Sequence, residues 1–192
     1  MVMFDASIII INWNTRDMLS DCLGSIALTA GKLNVEIIVV DNNSTDGSQA
    51  MVQERFPEVR LIQNRQNVGF AKANNQALAV MQGRYALLFN SDALATPGSI
   101  QALIELADSQ PGAGLIGALL VNTDGSFQAS HKQFPNLWQE VLILTGLGRL
   151  LHGRRYPSQG PDEAKGPQKV DYVEGACLLV RREAFQQVGG LD

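Results

Sequence analysis

Apolar residues in the first half of the chain form short runs that alternate with helical patterns. Ser7–Ile11 is almost entirely isoleucine, which is typical of a strand covered on both faces of a sheet. Val35–Val40, Arg60–Gln63 and Tyr85–Phe89 predict three further strands. After each strand, apolar residues recur at intervals of three and four, which predicts a helix with one buried face. The buried faces are expected at Leu19, Cys22, Leu23, Ile26 and Ala30, at a short segment ending near Phe56, at Phe70, Asn74, Ala77, Leu78 and Met81, and at Ile100, Leu103, Ile104 and Ala107.

This order of elements indicates an α/β fold. Asn14 or Thr15 is the expected N-cap of the first helix, and Thr96-Pro97 is the expected N-cap and first residue of the fourth. Four successive strand and helix pairs predict a Rossmann-like, mostly parallel central sheet with helices on both faces.

The second half has a different pattern. Ala113–Val121 is strand-like, and Asn122–Gly125 predicts a hairpin turn into Phe127. Leu137–Leu151 is apolar at helical spacing and either packs internally or meets a membrane or a partner. Gly153–Lys169 is rich in Pro, Gly and charge and predicts a mobile loop. The remaining predicted elements are strands at Val170–Val173 and Ala176–Val180 and a helix at Arg182–Val188 closed by Gly189-Gly190.

Composition narrows the class of protein. The 192 residues suit one domain, and 45% hydrophobic with 18% charged residues is ordinary for a globular protein. A net charge of −4 gives no bulk electrostatic attraction to nucleic acid or to anionic lipid, and we expect no nucleic-acid partner. Cys22 and Cys177 lack metal-ligand spacing and are expected to be buried thiols in a reducing compartment. Without a signal-peptide pattern at the N-terminus, a cytoplasmic location is expected.

The predicted strands all end in polar residues: Asn12–Asn14, Asp41–Ser44, Asn64–Gly69 and Asn90–Asp92. Ligands of parallel α/β sheets bind beyond the carboxyl ends of the strands. We therefore expect these segments to meet at one edge of the sheet and to form a binding site.

Each polar segment offers a group suited to part of a nucleoside diphosphate. Trp13 could stack on a base, and Asp41 could accept a hydrogen bond from a base imide or a ribose hydroxyl. Lys72 could offset phosphate charge, and Asp92 is a natural ligand for Mg²⁺ or Mn²⁺. Taken singly, each also fits a polar turn or a surface side chain. The GxGxxG and GxxxxGK[ST] patterns are absent, which disfavours dinucleotide-binding and P-loop proteins.

The same residues resemble the family 2 glycosyltransferases with the GT-A fold, especially their rhamnosyltransferase-like branch. The resemblance is carried by residues 7–16 (SIIIINWNTR), 36–48 (EIIVVDNNSTDGS), 67–78 (NVGFAKANNQAL), 85–100 (YALLFNSDALATPGSI) and 173–192 (VEGACLLVRREAFQQVGGLD).

The resemblance implies a role for each matching residue. Ile11, Trp13 and Asn14 would contact the base, with Trp13 stacked on it. Asp41 would hydrogen-bond the pyrimidine ring, with Asn43 beside it. The other implied contacts with the nucleotide sugar are Asn67 and Lys72 near the ribose and phosphates, Asn90 and Ser91 in a segment corresponding to an Asp-x-Asp motif, and Gly175 and Ala176 on the donor-sugar side. Asp92 would reach a divalent cation, Mg²⁺ or Mn²⁺, on the diphosphate.

The chain departs from the family pattern at two points. Asn90 stands where the stricter motif has an aspartate, and the acid that serves the family as catalytic base follows the Gly-Gly-Leu-Asp stretch, beyond Asp192. No catalytic residue is therefore assigned, and neither Asp171 nor Glu174 replaces the base. The expectation is a single GT-A-type domain, incomplete at its C-terminus, with a nucleotide-binding half at 1–121 and the start of an acceptor-side half at 122–192.

The resemblance implies an inverting transfer of sugar from a UDP- or dTDP-sugar to a saccharide or lipid-linked acceptor, with peripheral membrane contact left open. Two other classes remain. A nucleotidyltransferase would want a Gly-rich basic signature near the N-terminus, which Ile8–Arg16 lacks. A non-enzymatic sugar-nucleotide-binding module would keep the pocket without the base.

Overall fold

The four strands of the first half are adjacent members of one sheet. The computed structural model describes residues 4–128, 131–132, 137–152, 166–173 and 175–192. The first half contains β1 (Ala6–Asn12), α1 (Arg16–Thr29), β2 (Val35–Asp41), α2 (Ser48–Arg55), β3 (Arg60–Gln63), α3 (Phe70–Leu78), β4 (Tyr85–Phe89) and α4 (Ser99–Ser109). β1 pairs in parallel with both β2 and β4, and β2 pairs in parallel with β3. The predicted parallel α/β sheet is confirmed.

Parallel register brings the polar strand ends to one edge. Asn12 lies beside Asp41, and Asp41 lies beside Gln63. Because parallel strands run in the same direction, the residues that follow β1, β2, β3 and β4 all emerge on the same side of the sheet. The predicted convergence of these segments is confirmed.

The core lies on both faces of this sheet. Ile8, Ile9 and Ile10 are all buried, although successive side chains of a strand point to opposite faces. One face packs against α3 through a cluster that includes Ile9, Ile38 and Ala77. The inward side chains of α1, including Leu19 and Leu23, are also completely buried. Cover on both faces explains why the strand sequences are continuously apolar.

The second half adds short elements. These are β5 (Leu115–Gly117), β6 (Leu120–Val121), β7 (Phe127–Gln128), β8 (His131–Lys132), α5 (Leu137–Leu144), α6 (Leu147–His152), β9 (Tyr172–Val173), β10 (Cys177–Arg181) and α7 (Arg182–Val188). β10 pairs antiparallel with β4, and the main sheet has the order β3-β2-β1-β4-β10-β5. In the described part of the chain, no helix is long and apolar enough to cross a membrane.

Most predictions for the second half are confirmed. β6 and β7 form the expected hairpin, with Gly125 at φ +79° in its turn. Leu137–Leu151 contains two helices, α5 and α6, which are separated at Thr145-Gly146, and α7 ends at Val188 with Gly189 as its C-cap, as expected. The strand predicted over Ala113–Val121 is broken into β5 and β6. Most of the loop predicted at Gly153–Lys169 lies outside the described residues, as does Glu174.

The predicted starts of two helices need correction. α4 begins at Ser99 and not at Pro97, because Gly98 has φ +79°, which does not occur within a right-handed helix. Thr15 does occupy the N-cap position of α1, but its hydroxyl makes no capping bond. It donates instead to the Asn12 side-chain oxygen at 2.6 Å. This side chain therefore serves the end of β1 rather than the helix.

Two sets of close contacts hold α3 and β1 in place, one at Asn75 and one at Gly83. The Asn75 amide donates to the Leu191 carbonyl and accepts from the Leu191 N–H, both at 2.8 Å. We call this pair of bonds the Asn75 clasp. Gly83 donates its N–H to the Ser7 hydroxyl at 2.8 Å and leaves no room for a side chain against β1. The clasp ties the segment after α7 to a helix that begins at the polar edge.

The chain divides into two units. One comprises Met1–Ile116 and Gly175–Asp192 and contains the parallel strands and their polar edge. The other comprises Gly117–Glu174 and contains α5 and α6. The division near residue 121 into a nucleotide-binding and an acceptor-side half concerns function and stays a prediction.

Candidate functional site

A buried hydrogen-bond network joins the ends of β1 and β2. Asn12 is fully buried, and its Nδ2 donates to Asp41 Oδ2 at 2.7 Å and to the Ser44 hydroxyl at 3.0 Å. Its Oδ1 accepts from the Thr15 hydroxyl. Buried polar groups are stable when all their donors and acceptors are paired, and this amide meets that condition. The network therefore fixes the positions of both strand ends.

Asp41 is the acidic centre of this network and is only 1% exposed. In addition to Asn12, its carboxylate accepts from the Ser44 N–H at 2.9 Å and from Gln49 Nε2 at 2.6 Å. Both oxygens are therefore bound to protein donors. Contact with a pyrimidine ring stays a prediction for Asp41, and it requires Gln49 to move aside or a remaining lone pair to be reached.

The loops that follow β1 and β2 are interlocked. Asn14 has φ +55°, and its side-chain oxygen accepts from the Thr45 N–H at 2.8 Å. The Asn14 N–H in turn donates to the Ser44 hydroxyl at 2.9 Å, and the Arg16 N–H donates to Asp46 at 2.8 Å. Burial alone would raise the pKa of Asp46, but hydrogen bonds from Ser48 and Arg16 outweigh it and lower that pKa. The two loops therefore form one rigid rim.

A cleft of about 370 Å³ opens at the carboxyl edge of the parallel strands. It is lined by Ile11, Trp13, Asn42, Asn67, Gly69, Phe70, Asn90, Ser91 and Asp92. Six of the residues that the sequence proposed therefore meet in one cleft. Trp13 is 57% exposed, so its indole face is available to a ligand. The cleft offers aromatic rings, amides, a hydroxyl and a carboxylate. This mixture suits the mixed apolar and polar groups of a nucleoside diphosphate.

The other proposed contacts lie outside the lining of this cleft. Asn14 borders a separate shallow depression, while Asn43 and Lys72 are exposed. Ala176 accepts the Asn90 N–H at 3.0 Å through its carbonyl, and a side chain on Gly175 would stand 4.0 Å from the Phe70 ring. Ala176 thus holds Asn90 through its backbone, and Gly175 lies close to Phe70. Their roles toward a donor sugar stay predictions.

Asn42 and Gly69 line the cleft but were not singled out from the sequence. Phe70 was expected on the buried face of α3, and that prediction is wrong: its side chain is 49% exposed and lines the cleft. The Asn42 side-chain oxygen accepts from Asn64 Nδ2 at 2.9 Å, and Asn64 forms a reciprocal pair with Gln76, again at 2.9 Å. Asn42 Nδ2 lies 3.5 Å from the Gly69 carbonyl, which can only accept. This places the donor end of the Asn42 amide toward Gly69 at the cleft. Strand alternation was the available signal, because Asn42 must point away from Asp41.

Asp92 fits a metal that is shared with a substrate. The described residues contain no group of three or more His, Cys, Asp or Glu placed to hold a metal. Mg²⁺ commonly binds through one or two carboxylates together with substrate phosphates and water. Asp92 is exposed in the cleft, and none of the described donors bonds to its carboxylate. Together with the Asn90 side chain, it fits a cation that arrives with a diphosphate.

Cys22 lies close to this corner but supplies no ligand. Its thiol is 3.6 Å from the Asn90 carbonyl. Burial, with a smaller effect from the Asp92 charge, raises the pKa of Cys22 to about 12. The thiol therefore stays protonated at neutral pH, and the acidic ligand at this corner is Asp92.

Comparison with known proteins gives one consistent answer. Residues 7–189 match the sequence model of "Glycosyl transferase family 2". The chain is 32% identical, over 96% of its length, to an N-acetylglucosaminyl-diphospho-decaprenol L-rhamnosyltransferase of Mycobacterium tuberculosis. It spans 64% of the length of that relative.

Solved structures share the fold. A mannosyltransferase from Pyrobaculum calidifontis, in complex with GDP-Man and Mn²⁺, covers 98% of this chain and 47% of its own, with a TM-score of 0.64 and 22% identity. S. aureus TarS 1-349, in complex with UDP-GlcNAc, covers 67% of this chain and 38% of its own, with a TM-score of 0.57 and 24% identity. The fold is that of GT-A glycosyltransferases. On the family match and the strand-end cleft together, the chain belongs to glycosyl transferase family 2.

Proposed function

We propose that the protein is part of an inverting glycosyltransferase that uses a UDP- or dTDP-sugar. The acceptor is a saccharide or a lipid-linked saccharide used in cell-surface polysaccharide synthesis, and the reaction takes place in the cytoplasm at a membrane surface. The observation that carries the proposal is the meeting of Trp13, Asn67 and Asp92 in one cleft at the carboxyl edge of four parallel strands. Membership of the family supports transfer, and the mycobacterial relative is named for a lipid-linked acceptor.

Each lining group has a part in donor binding. The Trp13 ring stacks on the base, and the Asn42 amide hydrogen-bonds a polar edge of that base. Asn67 reaches the ribose, with its own side chain held by the Gly69 N–H at 2.9 Å. Asn90 and Asp92 face the diphosphate, and Lys72 offsets its charge from the start of α3. Asp41, Asn14 and Asn43 set the shape of the rim on the base side, while Gly175 and Ala176 border the sugar.

Transfer proceeds by direct displacement at the anomeric carbon. Asp92 would hold a divalent cation, Mg²⁺ or Mn²⁺, which would supply positive charge for the departing diphosphate. An acceptor hydroxyl attacks the opposite face of the sugar after losing its proton to a general base. Among the described residues that line the cleft, Asp92 is the only acid. In this proposal Asp92 serves the diphosphate rather than the acceptor, so the part of the reaction assigned to this chain is donor binding and leaving-group stabilisation.

A transfer assay on the full-length protein tests this function. The protein is supplied with a panel of UDP- and dTDP-sugars, a lipid-linked saccharide acceptor and Mn²⁺, and the anomeric configuration of the product is read by NMR. Inversion is expected, and Asp92→Asn is expected to lower kcat by roughly 100-fold or more. Asp21→Asn, an exposed acid on α1, is the matched control and should retain full activity.

The alternatives give different outcomes in the same assay. Retention of configuration would contradict the displacement mechanism. Donor binding without transfer or donor hydrolysis would identify a sugar-nucleotide-binding module. Pyrophosphate release from a nucleoside triphosphate would identify a nucleotidyltransferase.

A further inference from the structure

The Thr15 side chain connects two parts of the polar edge of the sheet. Its hydroxyl oxygen lies 2.6 Å from the Asn12 side-chain oxygen and 2.9 Å from the Ser91 hydroxyl oxygen. Asn12 belongs to the buried network at the ends of β1 and β2, whereas Ser91 precedes Asp92 in the segment that follows β4. Thr15 itself lies outside the lining of the cleft. It therefore acts on a ligand in the cleft through the residues that it bonds.

The direction of each hydrogen bond in this chain of side chains follows from Asp41. A carboxylate only accepts, so the Asn12 atom that lies 2.7 Å from Asp41 Oδ2 is the amide nitrogen. The Asn12 oxygen therefore faces Thr15 and accepts the single hydrogen of the Thr15 hydroxyl. Because Thr15 has no second hydrogen to donate, the contact at 2.9 Å is made by the hydrogen of Ser91. Ser91 is thus the donor to Thr15.

We infer that Ser91 accepts a hydrogen bond from the ligand in the cleft, and that Thr15 is the positioning residue that imposes this polarity. Ser91 is partly exposed and lines the cleft. With its hydrogen directed at Thr15, the Ser91 oxygen has only lone pairs to offer to the cleft. Among the described residues, none besides Thr15 bonds to the Ser91 hydroxyl. A ligand group that meets this oxygen must therefore supply the hydrogen.

The partner of Ser91 is an O–H group and not a phosphate oxygen. The oxygens of a diphosphate are acceptors that carry negative charge, and they are repelled by the lone pairs of another acceptor. Two O–H donors come with a nucleotide sugar: a hydroxyl of the transferred sugar, and water on a cation that Asp92 would hold. The inference rests on the proposed function, because it assigns one group of the bound donor to one side chain.

A double-mutant cycle in the ligand-free chain tests the bond between Thr15 and Ser91. Thr15→Val and Ser91→Ala each remove one partner, and urea unfolding of the wild type, both single variants and the double variant gives their coupling. We expect a coupling of about threefold or more in the equilibrium constant for unfolding. Additive effects would contradict the bond. Since no nucleotide is present, this result is independent of the proposed function.

Calorimetric titration of Ser91→Ala identifies the ligand group. The ligands are UDP alone, UDP with Mn²⁺, and UDP-glucose and dTDP-rhamnose with Mn²⁺. Metal-free UDP should bind the variant and the wild type equally, because Ser91 donates nothing to phosphate. A roughly fivefold loss of affinity that begins with UDP and Mn²⁺ identifies cation-bound water, and a loss that begins with the sugar nucleotides identifies a sugar hydroxyl. Ser109→Ala, an exposed serine at the end of α4, is the matched control.

Thr15→Val distinguishes polarity from a structural role. It should weaken the same ligands as Ser91→Ala does. Metal-free UDP should instead bind it roughly twofold more tightly, because the released Ser91 hydrogen can turn toward a phosphate oxygen. Thr15→Ser keeps the hydroxyl and should bind every ligand as the wild type does. Circular dichroism of each variant confirms that the fold is retained.

Three results would overturn the inference. They are weaker binding of metal-free UDP by Ser91→Ala, unchanged binding of every ligand by both variants, and equally weakened binding of every ligand by Thr15→Val. A wild type that binds no nucleotide would contradict the proposed function instead, and the unfolding cycle would still decide whether Thr15 and Ser91 are bonded.

Discussion

At the scale of single residues, Asn12 and Asp41 show how polar side chains build the rim of the site. Asn12 uses both amide hydrogens and its oxygen within the protein, and Asp41 accepts from three different residues. A buried carboxylate needs such donors, since leaving it unpaired costs more than the bonds contribute when made. These two side chains hold the loops against which Trp13 and Asn42 stand.

The sequence could identify the rim but not which of its side chains face the cleft. Asn90–Asp92 directly follow β4, Asn67 lies in the loop after β3, and all of them line the cleft. Asp41 and Asn42 are neighbours in one polar run, and the side chain that faces the cleft is that of Asn42. Strand alternation predicts that these two side chains point to opposite sides, but the sequence does not say which of the two sides holds the cleft.

The two cysteines should be inert in the folded protein. Cys22 and Cys177 are buried, and burial raises the pKa of each thiol to about 12. Because the thiolate is the reactive form, labelling with a disulfide reagent at pH 8 should be slow in the native state and fast in denaturant. A time course with free glutathione as the reference checks this. Rapid labelling of either cysteine in folded protein would contradict the burial described above.

At the scale of elements, continuous apolar runs and helical spacing were sufficient to predict β1 to β4 and the helices between them. The start of α4 was missed because Thr96-Pro97 is a good capping pair, whereas Gly98 in the left-handed region ends the preceding turn. The sequence also could not predict which side chains bond between distant elements. The Asn75 clasp joins residues 116 positions apart in the chain, and no local sequence pattern predicts it.

Gly190 should be required by the Asn75 clasp. A Cβ on residue 190 would stand 2.4 Å from Asn75 Oδ1, so Gly190→Ala should break one or both bonds and lower the free energy of unfolding by about 1–3 kcal/mol. In a protein that already carries Asn75→Ala, Gly190→Ala should lower the free energy of unfolding far less. Urea unfolding of the wild type, the two single variants and the double variant gives the coupling energy between the two residues. Additive effects in this cycle would show that the clasp does not stabilise the fold. Gly112→Ala, where a Cβ meets nothing within 4 Å, is the control.

Gly83 should tolerate no side chain against β1. A Cβ there would stand 2.4 Å from the Ser7 backbone nitrogen and 2.6 Å from the Ala6 carbonyl carbon, and backbone atoms of a central strand cannot give way. Gly83→Ala should therefore lower the free energy of unfolding by about 1–3 kcal/mol.

Gly24, within α1, is the matched control for Gly83. Its added Cβ meets nothing within 4 Å. Gly24→Ala should raise stability by about 0.5–1 kcal/mol, because alanine loses less backbone entropy in a helix. Equal effects of the two substitutions in thermal unfolding would contradict the close approach at Gly83.

At the scale of the whole molecule, parallel connectivity turns four separate polar segments into one site. Because β1 to β4 run parallel, all their carboxyl ends lie on the same edge of the sheet, so these strands specify a shared cleft before any side chain is considered. This is why the location of the site was predictable. The arrangement of Asn42, Gly69 and Phe70 was not, because it depends on how α3 packs against β1 and β2.

Calorimetric titration of the chain with UDP and with dTDP, in the presence and absence of Mn²⁺, tests the shared cleft most directly. Binding is expected with a dissociation constant on the order of 10 µM with Mn²⁺, weaker by roughly tenfold without it, and Asp92→Asn should remove the difference. A folded sample that binds neither nucleotide, with or without the metal, would contradict a nucleoside diphosphate site at the strand ends.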